Sequence, residues 1–434
     1  GEKAEQGQAT DRMKRPKGAR REQHEVLDPF NILVATASRS LPRRQWTRWF
    51  KNALVCAAQA HDAALAHALV KRSEELRMAP LYRHRAILKA AEVGACEVLS
   101  ALLSVRKELR AHGATGLLSV TDEDGRPALH IAAETGHAAV LVLLLEAGAD
   151  PEAEGGDGYG FKALHVAASE GQAEAIEVLA DHGADVDARA DSGRTALHLA
   201  AVEGHAAALW SLVQRGADLG ALDSGGASAL TVAAAEGRSE AVERLLEAGA
   251  ELEARDGRGA TALHRAAESG SLKVVRALVE KGVELNAKTR GGWTALHLAA
   301  FEGHKGTLLE LLRAGASAEA AGAPGGSSGA AAGCTPLHLA ARAGRGEAAQ
   351  ALLQAGGGGG GAGCGDPNAF EGDAGMTPIH MAAAWGDQEL LGMLLSHDPN
   401  QGHASAARAP GSAGLLDALD GRGCTALHLA VAMG

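Results

Sequence analysis

Eight histidines recur along the chain at His130, His165, His198, His264, His297, His338, His380 and His428, and Thr231 fills the rung between the third and fourth. The steps are 35, 33, 33, 33, 33, 41, 42 and 48 residues. Imidazole binds zinc and carries protons, so the ladder first suggests a metal site or general-base chemistry. The spacing argues against a shared metal. Zinc ligands sit about 2 Å from one ion, whereas equivalent residues on successive stacked units stand roughly 8–10 Å apart, the distance between packed helices. Two rungs cannot reach the same ion. A buried imidazole must then find a hydrogen-bond partner in the protein itself.

Two other stretches touch on chemistry. Residues Gly282 to Thr289 nearly match a phosphate-binding loop, but Ala287 stands where the second glycine belongs and no strand precedes the segment. Gly325-Gly326-Ser327-Ser328-Gly329 satisfies the pattern of a hydrolase nucleophile elbow, yet it lies in low-complexity linker, not between a strand and a helix. No His-Glu-x-x-His, dinucleotide turn in a βαβ unit or kinase motif set occurs. With no nucleophile–base or ligand cluster, the chain is expected to be non-enzymatic and to need no cofactor or metal.

The elements that carry the ladder are short and repeated. Thr195-Ala196-Leu197-His198-Leu199-Ala200-Ala201 recurs as residues 294–300, and a fixed period near 33 marks a repeat array. In the unit from Asp191 to Asp218, Asp191-Ser192-Gly193-Arg194 has turn chemistry. Thr195 then opens a helix as a capping hydroxyl, and Glu203-Gly204 closes it. Ala206 to Gln214 forms a second helix with Leu209, Leu212 and Val213 at helical spacing, and Arg215-Gly216-Ala217-Asp218 turns back. Trp210 on that second helix is expected in the core. Each helix is far shorter than the roughly 12–15 residues an isolated helix needs in water. Such units must stack on their neighbours to bury an apolar face.

These residues resemble the ankyrin repeat, whose motif runs from a turn through T-P-L-H-x-A-A to a second helix ending L-L-x-x-G-A-D. The latter part stands here as Leu144-Leu145-Glu146-Ala147-Gly148-Ala149-Asp150 and Leu245-Leu246-Glu247-Ala248-Gly249-Ala250. The resemblance covers roughly residues 121–434, and it implies an all-α solenoid of stacked helix-turn-helix units. It also implies a structural role for the eight histidines, each ring bonding backbone between neighbouring units. The sequence departs from the motif at Pro127, Lys162 and Ser228, which replace Thr, and at Ala196 and its equivalents, which replace Pro. Those departures are expected to weaken helix starts without changing the fold.

Composition fits thin layers of small residues. In 434 residues, aromatics make up only 3% while Gly alone numbers 57. The net charge of −11 argues against nucleic acid as the main ligand. The five cysteines at 56, 96, 334, 364 and 424 hold no Cys-x-x-Cys pair, and a reduced, cytoplasmic protein is the simplest reading. No apolar run reaches about 18 residues, so no membrane span is expected in this segment. The chain starts at Gly1 and ends inside a repeat, which reads as a fragment of a longer protein.

Taken in order, residues 1–25 form a basic tail with Lys14, Arg15, Lys17, Arg20 and Arg21 close together. Nuclear import is the sharp reading and a solvated, disordered tail the plain one. Residues 26–110 read as helices, with Trp46, Trp49, Phe50 and Leu54 on one face. They form either degenerate repeats acting as an N-terminal helical cap or a separate helical domain. Residues 121–320 hold six regular units. Residues 321–434 hold three more, the last truncated, separated by Gly/Ala-rich insertions at 321–333, 356–361 and about 399–414.

Two features point to binding another protein. Glu134, Glu170, Glu203, Glu236, Glu268 and Glu302 recur near the Gly that ends each first helix. An acidic stripe of this kind would steer a basic partner, and ordinary solvated surface is the alternative. The aromatics Tyr159, Phe161, Trp293, Phe301 and Trp385 stand at turn or first-helix positions, where the ankyrin family presents its concave binding surface. Trp293 with Phe301 is the foremost candidate anchor, and packing against the neighbouring turn is the alternative. The expected function is a protein-binding scaffold with no strong signal for self-association. The competing reading is a regulatory segment of a larger enzyme or channel.

Overall fold

The computed structural model describes residues 43–75, 83–104, 118–156, 158–320, 322, 333–355, 370, 375–396 and 416–433. The basic cluster at 14–21, the Gly-x-Ser-x-Gly stretch, Cys364 and most of the Gly/Ala-rich insertions lie outside them.

Helices come in pairs. The first four are α1 (Arg43–Gln59), α2 (Ala63–Glu75), α3 (His84–Val93) and α4 (Cys96–Leu103). Six regular pairs follow: α5 (Ala128–Thr135) with α6 (Ala138–Glu146), α7 (Ala163–Ser169) with α8 (Ala173–Asp181), α9 (Ala196–Glu203) with α10 (Ala206–Gln214), α11 (Ala229–Ala235) with α12 (Ser239–Glu247), α13 (Ala262–Glu268) with α14 (Leu272–Glu280), and α15 (Ala295–Glu302) with α16 (Lys305–Ala314). The array continues through α17 (Pro336–Arg342), α18 (Gly346–Ala355), α19 (Pro378–Trp385), α20 (Gln388–Ser396) and α21 (Ala426–Met433). First helices pack on first helices and second on second, so each unit meets its two neighbours in an all-α solenoid. The helices α1 and α3 join the same stack, with α3 packed on α5.

One unit shows why. Thr195 keeps an extended backbone (φ −92°, ψ 170°), and α9 runs for eight residues until Gly204 turns left-handed at φ 83°. Leu197, Ala200 and Ala201 are buried on α9, and Leu209 and Leu212 on α10. Alanine at the contact positions lets the short helices approach closely, while each buried leucine contributes about 1.5–3 kcal/mol. Truncating Leu209 to Ala would cost about 2–5 kcal/mol. Trp210 departs from expectation. It is 42% exposed, because the buried stripe of α10 runs through Ala208, Leu209, Ser211 and Leu212 and leaves position 210 facing outward. There the Arg244 guanidinium of the next unit lies 5.8 Å from the ring centroid. In the first pair the expected face is present: Trp46, Phe50 and Leu54 are buried, Trp49 is half-buried, and Trp46 stacks on Trp49 with centroids 5.0 Å apart.

The turns before the first helices form fingers, closed by isolated bridges such as Thr121 with Pro127 and Leu222 with Ser228. Neighbouring fingers are tied through backbone. Asp191 N–H donates to Tyr159 O at 3.0 Å, Ser224 to Ser192 O at 3.0 Å, Gly257 to Gly225 O at 2.8 Å and Arg290 to Arg258 O at 3.0 Å.

Candidate interaction surface

Six first helices, α7, α9, α13, α15, α17 and α19, start at a capping box built on the ladder histidine. Thr195 N–H donates to His198 Nδ1 at 3.3 Å, and the Thr195 hydroxyl lies 2.9 Å from the same nitrogen. The far nitrogen reaches the next unit: His198 Nε2 lies 3.0 Å from Ala227 O. A carbonyl can only accept and a backbone amide can only donate, so Nε2 carries the proton and Nδ1 the lone pair. The ring is held neutral in one tautomer. The same span joins His130 to Phe161 O, His165 to Ala188 O and His297 to Cys334 O, each at 3.0 Å, and His338 to Met376 O and His380 to Cys424 O at 3.1 Å. His264 reaches both Ala287 O and Trp293 O, at 3.0 and 3.1 Å. His428 is exposed and keeps the local half, with Thr425 N–H donating to its Nδ1 at 3.2 Å.

Burial sets the protonation state. It pushes the pKa of His165, His198 and His264 below the ordinary imidazole value, against the upward pull of the carbonyls they donate to. His297 is lowered furthest, to about 4, and burial is again the main cause.

The departures from Thr show what the box needs. Lys162 supplies its N–H to His165 Nδ1 at 3.1 Å, and its ammonium meets Glu152 at 2.5 Å. Pro127 offers neither an N–H nor a hydroxyl to His130. At the rung without imidazole, the Ser228 hydroxyl accepts directly from Thr231 N–H at 3.3 Å and contacts the Thr231 hydroxyl at 3.1 Å. Thr231 is too short to span to the next unit.

A second ladder, invisible in the sequence, lies at the turn between the two helices of each unit. From Gly94 to Gly303, the helix-ending glycine of each unit is covered by the residue that follows the corresponding glycine of the next unit, and that residue often bonds the covered unit's backbone. Gln172 donates to Glu134 O at 3.2 Å, Arg238 to Val202 O at 2.7 Å, His304 to Glu268 O at 3.0 Å and Arg345 to Phe301 O at 3.1 Å. A Cβ on Gly270 would meet the His304 ring at 2.5 Å, so that glycine is required by close approach as well as by its φ of +72°. The covering residues vary in type, and only their common position after a glycine could have marked them.

The acidic residues separate into two sets. Glu170, Glu203, Glu236 and Glu302 directly precede their glycines, whereas Glu134 and Glu268 stand one residue earlier. That shift turns the carboxylates of the second set toward neighbouring guanidiniums: Glu134 meets Arg126 at 2.8 Å and Glu268 meets Arg265 at 2.6 Å. Arg265 also contacts the buried Asp256, whose carboxyl is held below its usual range by Arg265 and two backbone amides despite desolvation acting the other way. Of the remaining four, Glu170, Glu203 and Glu236 are exposed, Glu302 is half-buried, and Glu203 alone approaches a described cation, Arg238 at 4.0 Å.

The aromatics fall into three places. Trp293, at the end of a finger, and Phe301, on α15, are both half-buried, with ring centroids 5.7 Å apart. Tyr159, 65% exposed, stands 5.8 Å from Phe161, which stacks on the His165 ring at 5.8 Å. Trp385 is 70% exposed at the end of α19, in the position Glu302 holds on α15. Residues Gly282 to Thr289 form the turn after α14, with Gly282 at φ +80°.

A family model described as ankyrin repeats (3 copies) matches residues 54–155, 87–190, 164–256, 230–321, 289–359 and 321–403, and one described as ankyrin repeats (many copies) matches 379–434. The chain belongs to the ankyrin repeat family. The first match begins inside α1, so the matched repeats take in helix pairs N-terminal to the first histidine rung. Ankyrin repeats are in general modules for protein–protein interaction. No curated protein matches the chain. Among the described residues no helix is long and apolar enough to cross a membrane, and no three His, Cys, Asp or Glu side chains are gathered as a metal would need.

Proposed function

We propose that the chain is a non-enzymatic scaffold that grips a partner protein on the finger side of its first helices, centred on Trp293 and Phe301. The observation that carries this reading is the adjacency of those two rings, half-buried and 5.7 Å apart in a protein with 3% aromatics. A large ring already partly ordered by its neighbour loses little freedom on binding, which suits it to anchor an interface. Tyr159, Phe161 and Trp385 extend the apolar contacts toward the two ends. Glu170, Glu203, Glu236 and Glu302 supply negative charge for steering a basic partner, while Glu134 and Glu268 are engaged within their own units. The eight histidines are structural in this reading, and α1–α4 cap the first histidine-bearing unit.

The test starts from a partner captured by the full chain. Trp293→Ala with Phe301→Ala should weaken that complex by a factor of about 30 or more while the melting curve stays cooperative. Glu203→Gln, Glu236→Gln and Glu302→Gln together should slow association and flatten its salt dependence. Unchanged affinity in the aromatic double variant would remove this surface from the binding mechanism.

A further inference from the structure

Two neighbouring fingers carry a charge opposite to that of the chain. The finger before α13 holds Arg255 and Arg258, and the one before α15 holds Lys288 and Arg290, in a protein of net charge −11. All four residues are exposed. Backbone brings the fingers together, since Arg290 N–H donates to Arg258 O at 3.0 Å. Two guanidiniums then cross between them. Arg255 Nη1 donates to Lys288 O at 2.7 Å, and Arg290 Nη1 donates to Gly257 O at 2.6 Å with its stem packed over Gly259. Each commits an N–H to a neutral carbonyl, which fixes the head group without cancelling its charge. The acids of these fingers are engaged elsewhere: Asp256 is buried against Arg265, and Glu253 accepts from Glu284 N–H at 2.7 Å. Among the described residues no carboxylate pairs with Arg255, Arg258 or Arg290. The insertion at 321–333 that follows contains no acidic residue. The earlier finger before α9 differs: Arg189 reaches Leu222 O in the same way at 2.6 Å, but the finger it meets carries Asp223 and no cation.

We infer that these two fingers form an anion-binding edge that takes an acidic segment of a partner protein, its Asp or Glu carboxylates meeting the guanidiniums of Arg255, Arg258 and Arg290. A guanidinium fork matches a carboxylate in shape and charge. One already tied to backbone gives up little freedom when the carboxylate arrives. Like charges on adjacent fingers repel, and an anion between them relieves that repulsion. The chain's overall negative charge opposes a long polyanion such as nucleic acid, while a short acidic segment meets chiefly the local field. The glutamates at the far ends of the first helices favour the opposite sign, so the two surfaces select different segments. The edge needs neither Trp293 nor Phe301, so either reading can fail alone.

The test uses the full chain and a fluorescent peptide alternating Glu and Gly, read by anisotropy. A photo-reactive group at the centre of the peptide locates it by mass spectrometry. Among the described residues the Arg258 side chain forms no hydrogen bond or ion pair, so Arg258→Gln removes charge and leaves the ties between fingers in place. The expectation is about a two- to fivefold loss for Arg258→Gln and about tenfold for Arg258→Gln with Arg290→Gln, the scale of exposed ion pairs. Arg290→Lys, which keeps the charge and loses the fork, should fall between wild type and Arg290→Gln. Added salt should weaken the wild-type complex more than that of the double variant. The photolabel should fall on the two fingers, and Trp293→Ala with Phe301→Ala should bind the peptide unchanged. Absence of binding at low ionic strength, equal affinity of wild type and the arginine double variant, or labelling confined to other units overturns the proposal. So does a single-stranded oligonucleotide that binds more tightly than the peptide and is lost in the same double variant, since the edge would then serve nucleic acid.

Discussion

His297 joins two units through one neutral ring: Nε2 lies 3.0 Å from Cys334 O, and Nδ1 accepts from Thr294 N–H at 3.2 Å. A proton on Nδ1 would set one donor against another, and burial opposes the charge as well. The folded pKa of about 4 lies below the unfolded value of about 6.5. Between those values the unfolded chain binds more protons, so stability is fully present above pH 6.5 and is lost as pH falls toward 4. On the order of 3 kcal/mol is at stake at this rung. Urea midpoints at pH 7.5 and 4.5 should differ accordingly, and His297→Gln should shrink the difference. A midpoint that does not move with pH would rule out the neutral ring.

Thr231 leaves the one internal rung of the regular units without an imidazole. Ser228→Thr with Thr231→His should rebuild the box and add the span seen from His198 to Ala227 O. One bridging hydrogen bond is worth about 1 kcal/mol, which calorimetry would register as a melting point raised by a few degrees. A lowered melting point would mean that the larger ring does not fit beside the buried Thr231.

Gly216 and Gly270 separate strain from contact. Both are left-handed, at φ +86° and +72°, but a Cβ on Gly216 meets nothing within 4 Å while one on Gly270 meets the His304 ring. Gly216→Ala should cost about 1 kcal/mol, the conformational share alone. Gly270→Ala should cost clearly more, with part recovered by adding His304→Ala. Equal losses in thermal melts of the two single variants would show that the covering ladder adds no constraint.

Trp210→Ala should behave as a surface change, costing well under the roughly 3–5 kcal/mol of a buried tryptophan. The Arg244 contact contributes about 0.5–1 kcal/mol at such a site. Chemical denaturation would detect a core-sized loss at once, and that outcome would contradict the outward position of the ring.

The sequence determined the architecture because the units are too short to fold singly, and a 33-residue recurrence of Leu-His-x-Ala-Ala leaves stacking as the way to bury them. It also brought Trp293 and Phe301 into one patch, since a finger end and a first helix of the same unit are close in any such repeat. It did not separate Glu134 and Glu268 from the other four glutamates. A one-residue shift near a helix end changes the face by about 100°, and only the positions of Arg126 and Arg265 show where those carboxylates turn. It misplaced Trp210 because an apolar residue beside Leu209 looks like core until the neighbouring helix is in place. The ties between fingers were beyond it altogether. They run through backbone amides, which every residue type but proline possesses, so pairs such as Asp191 with Tyr159 and Arg290 with Arg258 were decided by tertiary structure alone.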